Sequence, residues 1–299
     1  MSAHHLLSRS HIQPIILDGA TGSILRQYGM PRDAATELWA EAHPQTLLTL
    51  QEAYVAAGSQ IIYAPTFRAT PQALSAYGRA KDTEKLCAAL VALSKSAAGG
   101  QALVAGDITT MAGDLDVWDS ANHPGMLEGY RRQIRGIVDG GADMLVAETL
   151  LYPHEAEMIW EAAALEHVEL PMLYSFTMDS SGALFSGRDA GPVLRELEEA
   201  GAAAVGFNCV AAGDQLGALV SRLRRYVRGP LISKPNAGNP VIRTDGQVDY
   251  PMEPGEFARH QQEAAALGAG LLGGCCGTGP EYIRQLTLIL RSPGASSQT

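Results

Sequence analysis

The chain has 299 residues, of which 46% are hydrophobic and 18% are charged, and its formal net charge is −10. This composition is typical of a folded globular protein, and the negative charge argues against nucleic-acid binding. No apolar stretch approaches the roughly 20 residues that cross a bilayer, and the first residues lack the apolar core of a signal peptide. We therefore expect a cytoplasmic protein with neither nucleic acid nor membrane as a partner.

Eight short, apolar, β-rich runs recur along the chain, and each is followed by a turn and a segment with helical periodicity. The predicted strands are residues 14–17, 60–64, 102–106, 143–147, 172–176, 203–207, 231–233 and 269–272. The predicted helices are residues 44–57, 82–98, 125–139, 153–167, 190–200, 214–226, 254–267 and 280–290.

The alternation of strands and helices determines the fold class. Several predicted helices begin at Pro or Asp and end near Gly, as helix termini prefer. A strict βα alternation favours a parallel sheet covered by helices, and eight units predict an α/β fold of the closed (β/α)8 TIM barrel type. An open, doubly wound sheet is the alternative. We expect one barrel domain at residues 14–291, a flexible N-terminal arm at 1–13 and a flexible C-terminal tail at 292–299.

In such barrels the active site lies at the carboxyl ends of the strands, so residues that follow the predicted strands are candidates for function. Three of the four cysteines, Cys209, Cys275 and Cys276, occupy these positions. The fourth, Cys87, lies within a predicted helix, and we interpret it as a small buried hydrophobic residue. The other residues that follow strands are Asp18, Thr66, Asp107, Glu148, Asn208 and Asn236.

Three cysteines at one end of a barrel favour a zinc site. Zinc is usually four-coordinate, so three thiolates leave one position open, which is the pattern of a catalytic rather than a structural ion. The adjacent pair Cys275 and Cys276 is weak support by itself. It is also compatible with two packed thiols or a vicinal disulfide. The glycine-rich loop around the pair is equally compatible with a phosphate-binding backbone and no metal.

Five motifs, spread over nearly the whole chain, resemble the homocysteine S-methyltransferase family. That family includes the homocysteine-binding barrels of betaine-, S-methylmethionine- and cobalamin-dependent methyltransferases. The motifs are LDGATGS at residues 17–23, GADMLVAETL at 141–150, GFNCV at 206–210, KPNAG at 234–238 and GGCCGTGPEYI at 273–283.

The resemblance implies a zinc-dependent S-methyltransferase on a (β/α)8 barrel. In the family, a catalytic zinc is held at the positions of Cys209, Cys275 and Cys276 and takes the thiolate of homocysteine as its next ligand. Methyl transfer to that sulfur gives methionine.

The resemblance also implies which residues contact the substrate. Asp18 and Glu148 are expected to hold the amino acid, and backbone amides at Ala20 and Thr21 to bind its carboxylate. An asparagine at the position of Asn236 lies near the metal in this family. Asn208, which precedes Cys209 in GFNCV, is a further candidate for substrate binding.

The methyl donor is less well defined by the sequence. We expect a sulfonium compound such as S-methylmethionine or S-adenosylmethionine, with betaine or a separate methyl-corrinoid protein as alternatives. A related thiol or selenol could replace homocysteine. Trp118, in an acidic loop with Asp114, Asp116 and Asp119, is either a cation-binding residue or part of a solvated lid. A non-catalytic thiol or zinc carrier is the remaining alternative.

Overall fold

The computed structural model describes residues 2–244, 246 and 248–291, and the C-terminal tail predicted at 292–299 lies outside them. The strands β1 to β10 are Ile15–Ile16, Ile61–Ala64, Leu103–Ile108, Met144–Leu150, Met172–Phe176, Ala204–Ala211, Leu231–Asn236, Val241–Ile242, Val248–Asp249 and Leu271–Leu272. The α-helices α1 to α12 are Ala3–Ser8, Gly22–Gln27, Thr36–Ala42, Pro44–Ala57, Pro71–Ser75, Thr83–Ala98, His123–Asp139, Pro153–Leu165, Ala190–Ala200, Leu216–Arg224, Pro254–Ala266 and Pro280–Arg291, and a 3-10 helix covers Ala80–Asp82.

Eight strands form one parallel sheet that closes on itself. Their order is β1, β10, β7, β6, β5, β4, β3, β2. The two ends of this order meet, because Leu17 bridges Ile61 in parallel and the Gln60 N–H donates to the Ile16 carbonyl at 2.7 Å. The predicted TIM barrel is therefore confirmed, and the open sheet is excluded. Strands β8 and β9 form a separate antiparallel hairpin after β7.

The alternation of side chains along each strand creates two apolar layers. In β1 and β4, Ile15, Met144 and Val146 belong to the cluster inside the barrel. Their neighbours Ile16 and Leu145 belong to the larger cluster between the sheet and the helices. Because successive strand side chains point to opposite faces, apolar residues on both faces are what a sheet covered by helices requires.

The helix ends follow the glycine signals in the sequence. Gly58 and Gly201 end α4 and α9 with φ values of 112° and 111°, in the left-handed region that glycine adopts at little cost. At the other end of α9, the Asp189 carboxylate accepts a hydrogen bond from the Gly191 N–H at 3.0 Å. These ends position each following strand.

The loops after β1 and β2 contain short helices that the sequence pattern did not predict. Helices α2, α3 and α5 have six, seven and five residues. An apolar stripe repeats every 3.6 residues, so elements of two turns or fewer give too few repeats to recognise. These loops lie at the carboxyl ends of the strands and widen that end of the barrel.

Within the segment predicted as an arm, residues 1–13, the structure contains helix α1, while the flexibility of the arm stays a prediction. The Ser2 hydroxyl accepts from the His5 N–H at the start of the helix. Leu6 and Leu7 are buried against residues of the barrel interior such as Ile15. The helix therefore covers the amino-terminal end of the barrel. No helix in the described residues is both long enough and apolar enough to span a membrane.

We expect Leu7→Ala to lower the free energy of unfolding by about 2–5 kcal/mol, because it leaves a cavity beneath α1. Urea denaturation measures this change. The control is Ile12→Ala, since Ile12 follows the helix and is 69% exposed, and it should unfold at the wild-type midpoint. Equal midpoints for all three proteins would show that α1 does not stabilise the barrel.

Candidate metal and substrate site

The structure brings the three predicted cysteines together at the carboxyl ends of β6 and β10. The Cys209 Sγ lies 3.3 Å from that of Cys275 and 3.9 Å from that of Cys276, and all three sulfurs lie within 4.8 Å of one another. A tetrahedral zinc ion with Zn–S bonds of about 2.3 Å separates its sulfurs by about 3.8 Å. The cluster thus has the spacing of a three-cysteine metal site. All four cysteines are free, so Cys275 and Cys276 form no vicinal disulfide in this structure.

Hydrogen bonding among the three thiols gives them different pKa values. It raises the pKa of Cys209 and lowers the pKa of Cys276, because a thiolate at Cys276 is stabilised by its neighbours. The remaining cysteine, Cys87, is buried in α6 with its Sγ 3.8 Å from the Ala69 carbonyl. It occupies the hydrophobic core, as predicted.

Cys209 reaches the cluster through a strained backbone conformation. Its φ of 58° lies in the left-handed region, and Thr149 on β4 has the same value. Both residues lie where the strand register shifts, in β6 against β7 and in β4 against β5. Such a conformation costs about 1–3 kcal/mol per residue and persists only where surrounding contacts impose it. The two irregularities turn the chain at the site rather than elsewhere in the sheet.

Asn208 connects the two strained residues. Its Oδ1 accepts from the Thr149 N–H at 2.8 Å and from the Ser175 hydroxyl at 3.0 Å. Its Nδ2 donates to the Thr149 hydroxyl at 2.6 Å and lies 3.8 Å from the Cys275 Sγ. Asn208 is thus placed to orient the Cys275 sulfur, and direct contact with substrate stays a prediction.

Asn236, at the end of β7, connects the two segments that carry the cysteines. Its Nδ2 donates to the Cys209 carbonyl at 3.1 Å, and its Oδ1 accepts from the Cys276 N–H at 3.0 Å. The side chain lies next to the cluster, as the resemblance implied. Its contacts are with the backbones of the cysteines.

The glycine-rich loop is held by its own backbone amides. Every N–H from Gly273 to Thr278 donates to a group of the protein, and Gly277 is in the left-handed region with φ 82°. The amides of residues 273–278 are therefore not free to bind a phosphate. The alternative of a phosphate-binding loop is therefore disfavoured. The acceptors, in order, are the Ser233, Asp18 and Pro235 carbonyls, Asn236 Oδ1, Ser23 Oγ and the Cys275 carbonyl.

A buried charge cluster lies beside the cysteines. Asp18 accepts from the Tyr63 N–H at 2.7 Å through Oδ2, while its Oδ1 lies 3.8 Å from Lys234 Nζ. The same Nζ lies 3.4 Å from Glu148 Oε2 and 4.5 Å from the centre of the Tyr63 ring. Asp107 lines the same cavity. The four charged side chains belong to β1, β3, β4 and β7 or to the residues that directly follow them, and all are at least nine-tenths buried.

Burial controls the acidity of these groups. Removal from water raises the pKa of Asp18 and the pKa of Glu148 to about 7 each, although Lys234 opposes the change. Burial and the neighbouring carboxylates raise the pKa of Asp107 well above its ordinary value. Burial alone would lower the pKa of Lys234, but Glu148 and Asp18 outweigh it and hold that pKa well above its usual range. Lys234 therefore stays charged.

These residues form the inner part of a cavity of about 600 Å³. The inner part contains the three cysteines and the buried carboxylates. The outer part contains exposed side chains such as Tyr77, which is 49% exposed, and Arg68, which pairs with Asp114. The residues of the outer wall that carry charge are Arg26, Arg32, Asp33, Glu37, Arg68 and Asp114.

The remaining residues predicted to contact substrate or donor have different outcomes. Thr21 lines the cavity, but the Ala20 N–H donates to the Thr278 carbonyl at 2.9 Å and is not available to a substrate carboxylate. Trp118 is outside the described lining of the cavity. It packs edge-on against Tyr152 and next to His154, with ring centres 5.0 and 4.4 Å away. The structure thus favours the interpretation of the acidic loop around Trp118 as a solvated lid.

Lys234 and Asp107 were not among the site residues predicted from the sequence. Asp107 was recognised only as a residue at the end of a strand. Lys234 had a stronger signal, because a lysine inside the apolar strand Leu231–Asn236 must be paired or bound if it is buried. That signal was not used.

The fold and the cysteine cluster define a barrel enzyme site, and comparison with known proteins identifies the class. A family model described as Homocysteine S-methyltransferase matches residues 15–290. The chain belongs to this family, as its motifs predicted.

Individual relatives agree with the family. The methionine synthases of Mycobacterium leprae and Mycobacterium tuberculosis are each 27% identical over 90% of this chain. The chain spans about a quarter (24%) of the length of these relatives. Crystal structures of the homocysteine methyltransferase MmuM from Escherichia coli also match. The metallated form is 24% identical with a TM-score of 0.77, covering 93% of this chain and 96% of that chain, and the oxidized form is 25% identical with a TM-score of 0.74, covering 92% and 96%.

We expect Lys234→Met to destabilise the fold by about 3–5 kcal/mol at pH 8, since it leaves two buried carboxylates without their cation. The loss should shrink at pH 5. The pKa of Asp18 and of Glu148 is raised to about 7, so both are protonated at pH 5 in the native state and need no partner.

Urea denaturation at the two pH values measures this change. The matched control is Lys95→Met, which removes a half-exposed pair with Asp143 at 2.8 Å. It should cost less than about 1 kcal/mol at either pH. A Lys234 variant as stable as this control at pH 8 would contradict the assigned role.

Proposed function

We propose that the chain is a zinc-dependent homocysteine S-methyltransferase, which moves a methyl group from a sulfonium donor to the sulfur of homocysteine and so forms methionine. The observation that carries the proposal is the convergence of three cysteine sulfurs at the inner end of a cavity in a chain of this family. A cytoplasmic location is part of the proposal, because three free thiols persist in a reducing compartment.

Cys209, Cys275 and Cys276 would hold the zinc ion. The sulfur spacing supports this assignment, and so does the preference of zinc for thiolates. When bound, zinc would lower the pKa of a coordinating thiol, which is otherwise about 8.5, so that the thiol loses its proton. Asn208 and Asn236 act as positioning residues, because they fix the Cys275 sulfur and the backbones of the other two cysteines.

The buried carboxylates would hold the amino group of homocysteine. Asp18 Oδ1 and Glu148 Oε2 have no hydrogen-bond partner in the described protein, although both are within 4 Å of Lys234. A buried carboxylate oxygen is stabilised by a donor. The Thr21 amide at the cavity wall remains the candidate for the substrate carboxylate.

The chain contributes chiefly position and exclusion of water to the reaction. The homocysteine sulfur attacks the methyl carbon, a new S–C bond forms, and the electron pair of the old bond leaves with the donor sulfur. No proton moves at the methyl carbon, so no general base is needed there. Holding two reactants in line can lower the barrier by roughly 7–11 kcal/mol. The cavity of about 600 Å³ has room for both.

The outer wall supports a small, zwitterionic donor. Carboxylates such as Glu37 and guanidinium groups such as that of Arg26 line it together. A donor such as S-methylmethionine, which has a sulfonium, an ammonium and a carboxylate group, matches such a mixed wall. Betaine, a separate methyl-corrinoid protein and a selenol or other thiol acceptor are alternatives within the same proposal.

We expect each of the single variants Cys209→Ala, Cys275→Ala and Cys276→Ala to lose bound zinc and at least 99% of methyl transfer while retaining the fold. Each variant leaves only two of the three thiolates at the site. Zinc content by elemental analysis, methionine formation and circular dichroism measure the three quantities. Cys87→Ala is the matched control and should keep both zinc and activity. An active, zinc-replete variant at any of the three positions would refute the site.

The donor is tested by assaying the zinc-loaded protein with homocysteine and one donor at a time. S-Methylmethionine, S-adenosylmethionine, betaine and a methylated corrinoid protein form the panel. We expect turnover with a sulfonium donor and none with betaine. Turnover with the corrinoid alone would keep the acceptor chemistry and replace the donor, whereas absence of turnover with every donor, despite bound zinc, would favour a non-catalytic carrier.

A further inference from the structure

The inner cavity contains three buried carboxylates and one buried ammonium group. Lys234 Nζ lies near Asp18 and Glu148, at 3.8 and 3.4 Å. Asp107 has no ion-pair partner in the part of the chain that the structure describes, although it is only 6% exposed. Lys234 therefore forms ion pairs with two of the three acids, whereas its charge acts on Asp107 only from a greater distance.

Asp107 is fixed in place, but its side chain is not satisfied. Thr66 holds its backbone on both sides, since the Thr66 Oγ1 accepts from the Asp107 N–H at 2.9 Å and donates to its carbonyl at 2.7 Å. The Asp107 Oδ1 is buried and has no hydrogen-bond donor in the described protein, while the residue lines the cavity. A buried carboxylate oxygen without a donor is costly. A donor that enters the cavity from solution would remove that cost.

The charges in the cavity indicate what kind of hydrogen-bond donor would bind there. With all four groups ionised, the three carboxylates and Lys234 carry a net charge of −2, and three thiolates around a divalent ion would add one more negative charge. Burial raises the pKa of each carboxyl group, so a cation that enters the cavity would stabilise the ionised form. A cationic hydrogen-bond donor is therefore favoured over a neutral or anionic one. Among the groups of an amino-acid thiol, only the ammonium group combines positive charge with hydrogen-bond donors.

We propose that Asp107 determines acceptor specificity by accepting a hydrogen bond from the ammonium group of the amino-acid thiol, in addition to Asp18 and Glu148, whose charges Lys234 partly offsets. This inference rests on the proposed function and adds to it a residue that the resemblance did not assign. Asp107 should select a thiol with an α-amino group over the same thiol without one.

The test compares two ligands on two variants. Isothermal titration calorimetry measures the Kd of homocysteine and of 4-mercaptobutanoate, which is homocysteine with hydrogen in place of its amino group. The proteins are the zinc-loaded wild type, Asp107→Asn and, in case the amide disturbs the site, Asp107→Ser. Asp139→Asn, at the exposed end of α7, is the control.

We expect both Asp107 variants to bind homocysteine at least about tenfold more weakly, as befits a lost hydrogen bond to a charged group. Their affinity for 4-mercaptobutanoate should be unchanged or higher, which also shows that the thiol site is intact. The control should match the wild type with both ligands.

Two results would overturn the assignment of Asp107 and leave the proposed function intact. One is wild-type affinity of the Asp107 variants for homocysteine, and the other is an equal loss of affinity for both ligands. A zinc-loaded wild type that binds neither thiol would overturn the proposed function and this assignment with it.

Discussion

The Asn236 side chain provides the interaction on which the geometry of the cysteine cluster depends. Strand β7 lies between β6 and β10 in the sheet, and Asn236 at its end hydrogen-bonds to the Cys209 carbonyl and the Cys276 N–H. Cys209 and Cys276 are distant in the sequence, so no local structure can set their separation. Closure of the barrel brings the three strands together, and one amide then fixes the relative height of the two cysteine-bearing segments.

Asn208 extends the same arrangement to the carboxylates. It contacts Thr149, which follows Glu148, and its amide faces the Cys275 sulfur. The cysteine cluster and the segment that carries Glu148 are therefore connected by one hydrogen-bonded unit that crosses β4, β5 and β6. The strained conformations of Thr149 and Cys209 persist because this unit holds them. Of the three non-glycine residues with positive φ in the described part of the chain, Thr149 and Cys209 thus lie beside the cysteine cluster, and the third, His167, lies after α8.

The sequence predicted those features that follow from periodicity and from position in a barrel. All eight barrel strands were expected, and the rule that function lies at their carboxyl ends selected Cys209, Cys275 and Cys276. Features that depend on contacts between distant segments were not predictable. The Ala20 amide is used by the Thr278 carbonyl, and Lys234 contacts two acids that lie far from it in the sequence.

Segments of low periodicity also escaped prediction. Helix α1 has six residues, and its polar neighbours conceal the buried pair Leu6 and Leu7. The short helices that widen the barrel after β1 and β2 have the same limitation. Their side chains complete the outer wall of the cavity, so the residues that would lie closest to the proposed donor were the least visible in the sequence.

The depth of the cavity has a kinetic consequence. The three cysteine sulfurs lie at its inner end, whereas the charged wall proposed for the donor lies nearer the exposed side chains Arg68 and Tyr77. A donor seated first would stand in the path of the acceptor. Under the proposed function, the site would therefore be filled in order, with the thiol entering before the donor, and the demethylated donor would have to depart before methionine.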